Sequence, residues 1–463
     1  MFFATSSQNK NLMLFYLQTV TSPIKFVNLF IYKMYPVVKV FISILFFIFP
    51  LAFFAQNYTS YFTGNTEDVT TNHQYGVCLM GGATEHDEAM KWFLLKADGG
   101  DVVVLRASGS NGYNDYFYSE LGVTINSVET LVIHNTAGGI DPYVLQQVAN
   151  AEAIWFAGGD QYDYVNFFKD NAMETLLNEH INTKRAVIGG TSAGMAIMGG
   201  YYFDAANGTI TSSQALNNPY HAKVSLGIHD FIEIPFFENV ITDSHYDDPD
   251  RRGRHTAFLA RFATDLGVRS FGIACNEYTA VCIDENGEAF VYGDYPNYEE
   301  YAYFLQANCV TDFQPENCTS GNPLTWTGNN DAVRVYKVPG TQTGENTFNI
   351  NDWKTGAGGT WEHWLVDDGI ISYVQGENPD CDSLGVINFE ELQISVYPNP
   401  FSSRINVNSN SERTYVLYDF FGREIMSGTP KSGIIDTQKL SSGAYFLKFF
   451  SEKKSKIIKL YKN

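Results

Sequence analysis

A serine stands at position 192 with a glycine two residues to either side, Gly190-Thr191-Ser192-Ala193-Gly194, behind the apolar run A-V-I and ahead of A-G-M-A-I-M-G. A strand, a tight turn and a helix in that order hold such a serine in a strained backbone conformation, and small neighbours let the strand end and the helix start pass close together. The Ala193 N–H would then sit at a helix start and face a cleft, where it can stabilise an oxyanion. A parallel turn at Gly158-Gly159 offers a second donor from Gly159. The same five residues also suit a serine N-cap with glycines retained for packing, and the local context weights the two readings equally.

A base breaks the tie. Of nine histidines, His245 has the best setting, because V-I-T-D-S-H-Y ends an apolar stretch and opens a polar loop. An acid must orient its imidazole, and Glu277 in I-A-C-N-E-Y-T-A also follows a strand. Alone, His245 reads as a surface residue and Glu277 as an ordinary turn carboxylate; their joint placement raises both. Ser192 would attack a carbonyl, His245 would relay the proton and Glu277 would hold the ring. An α/β-hydrolase esterase orders its triad as serine, acid, histidine, which would enlist His363 with Asp243 or Asp294, although W-E-H-W is an awkward setting for that histidine. A non-enzymatic alternative is a catalytically idle surface protein that keeps the fold and binds a peptide or polymer.

The elements that must position these residues are legible as apolar runs. Gly76 to Met80, Asp101 to Leu105, Thr130 to Ile133, Ala153 to Phe156 and Arg185 to Ile188 each end in glycine or other small residues. Helix-like segments such as E-A-M-K-W-F-L-L-K and P-Y-V-L-Q-Q-V-A lie between them. Uninterrupted apolar strands suit a mostly parallel sheet flanked by helices, an α/β fold, whose ligands bind beyond the carboxyl ends of the strands. F-G-I-A-C, T-A-V-C-I and E-A-F-V-Y follow between Phe271 and Tyr292, the last two joined by D-E-N-G. The expected division is a leader and signal peptide over 1–55, a catalytic domain over 56–308, a β-rich appendage over 309–375, a linker over 376–391 and a small β-sandwich over 392–463.

Composition narrows the partners. The net charge is −21 over 463 residues, a poor electrostatic match for nucleic acid. It is uneven: residues 1–55 carry +4 and residues 392–463 carry +6, leaving −31 between them. The apolar run from Val40 to Ala55, preceded by Lys39 and broken by Pro50, reads as a secretory signal peptide, with Met34 as a candidate start. Cys309 and Cys318 bracket a polar loop and are the best disulfide candidates in an oxidising compartment, whereas Cys78 and Cys282 read as buried hydrophobes.

Three segments together resemble one family. I-W-F-A-G-G-D-Q (154–161), I-G-G-T-S-A-G-M-A-I-M-G (188–199) and D-S-H-Y-D-D-P-D-R-R-G-R (243–254) are similar in order and spacing to the cyanophycinase-like serine peptidases of peptidase family S51, over roughly residues 75–295. The resemblance implies a fold like the class I glutamine amidotransferases and a triad of Ser192, His245 and Glu277. It also implies substrate contacts from Gln161 and Asp243, with Arg251 and Arg254 near the pocket. It implies no metal or organic cofactor, and a peptide substrate cut at an aspartyl residue by an exopeptidase. Two positions depart from the pattern: Ser244 stands where the family has glutamine, and Pro249 where it has the first arginine of its Arg-x-Arg-x-Gly-Arg run. V-Y-P-N-P-F, Y-D-F-F-G-R-E-I and L-S-S-G-A-Y-F-L, with the basic ending, resemble the sorting domain of type IX secretion systems. That implies export through the periplasm and secretion or surface attachment, with the secretion machinery as a partner. Oligomeric state is left open, a homodimer being one option.

Overall fold

A computed structural model describes residues 56–309, 312–378, 394–409, 414–419, 423–451 and 454–463. The signal peptide, most of the linker and Cys381 lie outside the described residues. The chain divides into two compact units at Pro379.

In the first unit, six strands open the chain: β1 (Tyr58–Gly64), β2 (Gly76–Met80), β3 (Asp101–Arg106), β4 (Ser127–Ile133), β5 (Ala153–Phe156) and β6 (Val187–Thr191). Seven more follow, β7 (Tyr201–Phe203), β8 (Leu226–Ile228), β9 (Val240–Asp243), β10 (Phe271–Cys275), β11 (Ala280–Ile283), β12 (Glu288–Tyr292) and β13 (Tyr301–Ala307). The last five are β14 (Val333–Pro339), β15 (Asn346–Asn349), β16 (Gly356–Ala357), β17 (Thr360–Asp367) and β18 (Ile370–Gln375). The helices that matter below are α1 (Asp87–Leu95), α2 (Pro142–Asn150), α3 (Gln161–Phe168), α4 (Ala172–Asn182), α5 (Ala193–Ala196) and α6 (Arg252–Leu266).

Ten strands form one sheet in the order β1-β4-β3-β5-β6-β2-β11-β12-β15-β16. The run from β4 to β2 is parallel throughout, as the apolar, small-ended strands require. β2, β4, β5 and β6 are buried along their whole length, so β-branched and aromatic side chains serve both faces. On one face Met90 and Phe93 of α1 pack with Trp155 and Val187. On the other, Val144, Phe168 and Leu177 from α2, α3 and α4 join a core that also holds Ile273 and Phe304.

Those last two belong to a second sheet of eight strands, β18-β17-β14-β13-β10-β9-β7-β8, in which β9 runs parallel to β10. Its outer core holds Phe258, Leu259 and Phe262 of α6 with Trp326 and Trp364. The segment 309–375 supplies strands to both sheets: β14, β17 and β18 to the second, β15 and β16 to the first. The D-E-N-G turn joins β11 to β12 as an antiparallel hairpin, with Gly287 at φ +75°.

One expectation fails. Cys309 is disulfide-bonded, but Cys318 is a free, buried thiol, so a short polar loop between two cysteines did not define a pair. Cys318 is instead packed in the core beside α6. Cys78 and Cys282 are free and buried, on directly opposed positions of β2 and β11.

The second unit holds two small sheets. Ile394–Tyr397, Arg404–Ser409 and Ile434–Asp436 form one; Glu424–Gly428, Thr414–Asp419, Gly443–Ser451 and Lys454–Lys462 form the other. Ile405, Leu417, Leu447 and Leu460 make their shared core. Among the described residues no helix is long and apolar enough to cross a membrane.

Two buried histidines tie stability to pH. Burial pushes His180 on α4 down to about 3 and His255 on α6 down to about 4. Both stay neutral in the fold, whereas the unfolded chain takes up a proton near pH 6.5. Their contribution is complete above pH 6.5 and is lost as pH falls toward the folded values, by about 1.4 kcal/mol per pH unit for each residue. The urea midpoint is expected to be flat between pH 7 and 8 and to drop from pH 6.5 to 5. His255→Leu is expected to reduce that slope, and an unchanged slope would count against this origin.

Candidate active site

β6 ends at Thr191 and α5 begins at Ala193, leaving Ser192 alone in the turn with φ 53° and ψ −112°. A non-glycine residue seldom takes this conformation, and it is sustained only where the surroundings over-determine it. Here the close passage is visible: a side chain on Gly190 would meet the Gly194 backbone at 2.7 Å, and one on Gly194 would meet the Phe156 carbonyl at 2.3 Å. The Ser192 side chain caps no helix N–H, so the N-cap alternative is not what the turn does. It points at His245, and its Oγ lies 2.7 Å from Nε2 of that ring.

His245 follows β9 in the second sheet and is itself at φ 46°. Its Nδ1 lies 2.5 Å from Oε1 of Glu277, which follows β10. With the carboxylate facing Nδ1, that nitrogen carries the proton and donates, so Nε2 is left to accept the Ser192 hydroxyl proton. The histidine and glutamate side chains are about a quarter exposed, at 23% and 26%. The Glu277 N–H donates to Asp247 at 2.9 Å.

The end of β2 fixes all three segments. The Ser192 N–H donates to the Met80 carbonyl (3.0 Å), the His245 N–H to the Gly81 carbonyl (2.7 Å) and the Tyr278 N–H to the Gly82 carbonyl (3.0 Å). Glycine is obligatory at both latter positions. A Cβ on Gly81 would meet the Asn276 carbonyl at 1.9 Å; on Gly82, at φ +114°, it would meet Cε1 and Nε2 of His245 at 2.4 Å.

The other residues expected at the site divide. Ala193 opens the four-residue α5, so its N–H has no acceptor within the helix. Gly158 lines the cleft with Ser192 and His245, and Gly159 follows it at φ +152°. Gln161 opens α3 and donates from Nε2 to the Phe203 carbonyl at 3.2 Å. Asp243 and Arg254 are both nearly fully buried and bind each other through two hydrogen bonds, Nε at 2.9 Å and Nη2 at 2.5 Å. Burial pushes the Asp243 carboxyl up, but the guanidinium of Arg254, with Arg251 nearby, outweighs it and holds the group below its usual range. Arg251 donates from Nη1 to the Ser244 carbonyl at 2.9 Å. None of these four is among the residues that line the cleft around Ser192; Asp243, Arg251 and Arg254 brace the turn that carries His245, and Gln161 holds the end of β7. His363 lies on β17 with Nδ1 3.5 Å from Asp331, and it does not meet Ser192.

The cleft has a volume of about 610 Å³, and its further walls come from Glu85, Arg106, Tyr113, Tyr116 and Glu120. None was anticipated from the sequence. The only available signal was their position at or just after the ends of β2 and β3: Glu85 in a loop, Arg106 as the last residue of β3, and the other three in short helical turns over 112–120.

Residues 110–289 match the family described as Peptidase family S51, and residues 395–463 match the secretion system C-terminal sorting domain. The chain is thus similar to peptidase family S51 over the first stretch and carries a sorting domain over the second. A cyanophycinase of Geminocystis herdmanii is 26% identical over 151 residues, 33% of this chain and 51% of that protein. A cyanophycinase of Synechococcus elongatus is 24% identical over 239 residues, 48% of this chain and 68% of that protein. The chain therefore spans about half the length of the first relative. A peptidase structure from an acI-B1 Actinobacterium is similar at 16% identity, with a TM-score of 0.35, over 48% of this chain and 88% of that one. The sorting domain marks the protein for secretion or the cell surface.

Two substitutions separate the roles found here. Gly82→Ala drives the His245 ring away from Ser192 and is expected to slow reaction of Ser192 with a fluorophosphonate by about 100-fold, with the protein still folded by circular dichroism. Asp243→Asn leaves Arg254 buried without its counter-charge and is expected to destabilise the first unit by about 3 kcal/mol or more, read by urea denaturation. A loss under about 1 kcal/mol, the range of an exposed pair, would contradict the bracing role.

Proposed function

We propose that this protein is an exported serine-type peptidase in which Ser192, His245 and Glu277 act as nucleophile, base and orienting acid. The carrying observation is the unbroken hydrogen-bond relay, 2.7 Å from Ser192 to His245 and 2.5 Å from His245 to Glu277, on the wall of an open cleft. Ser192 Oγ attacks the peptide carbonyl as its proton passes to Nε2. The developing oxyanion is met by the N–H groups of Ala193 and Gly159. His245 then hands the proton to the leaving amine, and a water activated by the same ring releases the acyl group. Glu277 holds the proton-bearing Nδ1 in place and stabilises the imidazolium. Every step is supplied by side chains and backbone, so the reading needs no metal or organic cofactor.

Similarity to the S51 family favours a bond at an aspartyl residue, as in cyanophycin or in Asp-X and isoaspartyl peptides, released by an exopeptidase. The family resemblance also favours the class I glutamine amidotransferase fold for the first unit and the type IX secretion machinery as the partner of the second. Ser244 and Pro249, at positions where the family carries side chains for its substrate, point to a peptide other than cyanophycin itself.

Incubation with cyanophycin beside a panel of Asp-X and isoaspartyl peptides, with product masses read out, tests the activity. Hydrolysis is expected for at least one class, with Ser192→Ala lowering the rate by about 10⁴-fold or more and Glu277→Gln by about 10³-fold. Fluorophosphonate labelling that persists in Ser192→Ala, or is missing from the folded wild type, would overturn the assignment.

A further inference from the structure

The backbone N–H groups at and beside the acid of the relay are held in two different ways. The Asn276 N–H donates to the Tyr301 carbonyl of β13, and the Tyr278 N–H to the Gly82 carbonyl, both at 3.0 Å. Those acceptors are backbone groups. The N–H between them, that of Glu277, donates instead to a side chain, Oδ1 of Asp247, at 2.9 Å. Asp247 stands two residues after His245, so the loop that carries the base also grips the backbone of the acid.

A peptide group is planar, so a bond to the Glu277 N–H restrains the plane from which the Glu277 side chain leaves the chain. The same side chain then meets Nδ1 of His245 at 2.5 Å. A carboxylate that accepts from a backbone N–H makes one of the stronger hydrogen bonds available to a side chain. Asp247 is exposed, and among the described residues it makes this one hydrogen bond and no ion pair. Arg251 is attracted by Asp247 and Glu277 alike, yet its Nη1 donates to the Ser244 carbonyl. Glu300 and Tyr303 are the other ionisable groups that feel the charge of Asp247. Asp247 is not among the residues that line the cleft, so its bond to Glu277 bears on the relay and not on what the cleft holds.

We infer that Asp247 is a positioning residue: by accepting the Glu277 N–H it keeps the acid in line with Nδ1 of His245. The inference rests on the reading of Ser192, His245 and Glu277 as the catalytic relay. The acid is then placed by two bonds from one loop, its carboxylate by the imidazole and its backbone by Asp247. Losing the second leaves the first to hold a side chain whose own backbone can turn.

The test uses the full chain and a small neutral fluorophosphonate over a range of concentrations, which separates the maximal rate of Ser192 modification from the concentration that half-saturates it. Asp247→Ala is expected to lower the maximal rate about tenfold, inside the loss of about 100-fold that a catalytic group displaced by about 1 Å can cause. The half-saturating concentration should stay within about twofold of wild type. Asp247→Asn keeps an oxygen acceptor at the same place and is expected to recover the rate to within about threefold. On a Glu277→Ala background, Asp247→Ala should cost less than about twofold, because a positioning role vanishes with the group that is positioned. Substitution at an exposed position is expected to leave the fold intact by circular dichroism; if Asp247→Ala is not folded, Asp247→Leu, which also lacks an acceptor, takes its place. An unchanged maximal rate, a rate in Asp247→Asn as low as in Asp247→Ala, or an equal loss with and without the Glu277 side chain overturns the role of Asp247 and leaves the nucleophile standing. Absence of labelling in the folded wild type removes the relay and the positioning with it.

Discussion

Three consecutive carbonyls at the end of β2, those of Met80, Gly81 and Gly82, accept the N–H groups of Ser192, His245 and Tyr278, and the geometry of the site depends on them. β2 lies between β6 and β11 in the ten-stranded sheet, so its end is flanked by the strand that delivers Ser192 and by the one that Glu277 precedes. His245 arrives from β9 in the other sheet. The strand end is thus where two separate hydrogen-bonded layers are locked into one register. Backbone bonds of this kind fix position more tightly than side-chain contacts, because no rotamer freedom remains between the donor and the element it anchors. The side-chain relay of 2.7 and 2.5 Å is a consequence of that docking.

The docking is strained, and the strain is local. Ser192, His245 and Tyr278 each carry positive φ, at 53°, 46° and 59°, at a typical cost of about 1–3 kcal/mol apiece. Two features oppose relaxation. The glycines at 81, 82, 190 and 194 permit approaches that any Cβ would block. The Asp243–Arg254 pair, deep under the turn, gives the His245 loop a fixed floor, while Arg251 ties down the Ser244 carbonyl. A buried ion pair is a poor source of net stability but a strict one for geometry, and here its carboxylate is on the last residue of β9, two residues from the imidazole.

Much of this was legible in the sequence, and the reason is the period of the pattern. Strands buried on both faces write continuous apolar runs, and their small-residue ends mark the face where a parallel sheet binds ligands. Ser192, His245 and Glu277 were recoverable because each directly follows such a run. Gln161, Asp243, Arg251 and Arg254 were assigned to substrate by resemblance alone, and a motif cannot tell whether a charged side chain turns outward or pairs inward, as Asp243 and Arg254 do. Glu85, Tyr113 and Tyr116 were missed because a loop and helical turns of four and five residues are too short to show a period, and their meeting depends on how β2 and β3 are spaced by β5 and β6. The strands of 309–375 fall in the same category, since their pairing with β12 and β13 is set by long-range register that no local run encodes. Cys309 and Cys318 show the limit of spacing as a guide to bonding.

The division between what was legible and what was not follows a division of labour in the molecule. The groups of the Ser192–His245–Glu277 relay stand at strand ends, in backbone positions that glycine and strain hold to within one geometry. The other walls of the cleft come from the β2–α1 loop and from the stretch between β3 and β4, where Tyr113 donates to Glu85 and Tyr116 to Asp87. Such segments can change side chains without disturbing Met80, Gly81 or Gly82, because the N–H groups of Ser192, His245 and Tyr278 are not anchored on them. Ser244 and Pro249 show the complementary freedom beside His245: the turn departs from the family pattern there, yet the carbonyl of Ser244 still meets Arg251 and the ring still meets Glu277. The relay is therefore fixed by the sheet, and the cleft around it is walled by segments that can vary without moving the relay.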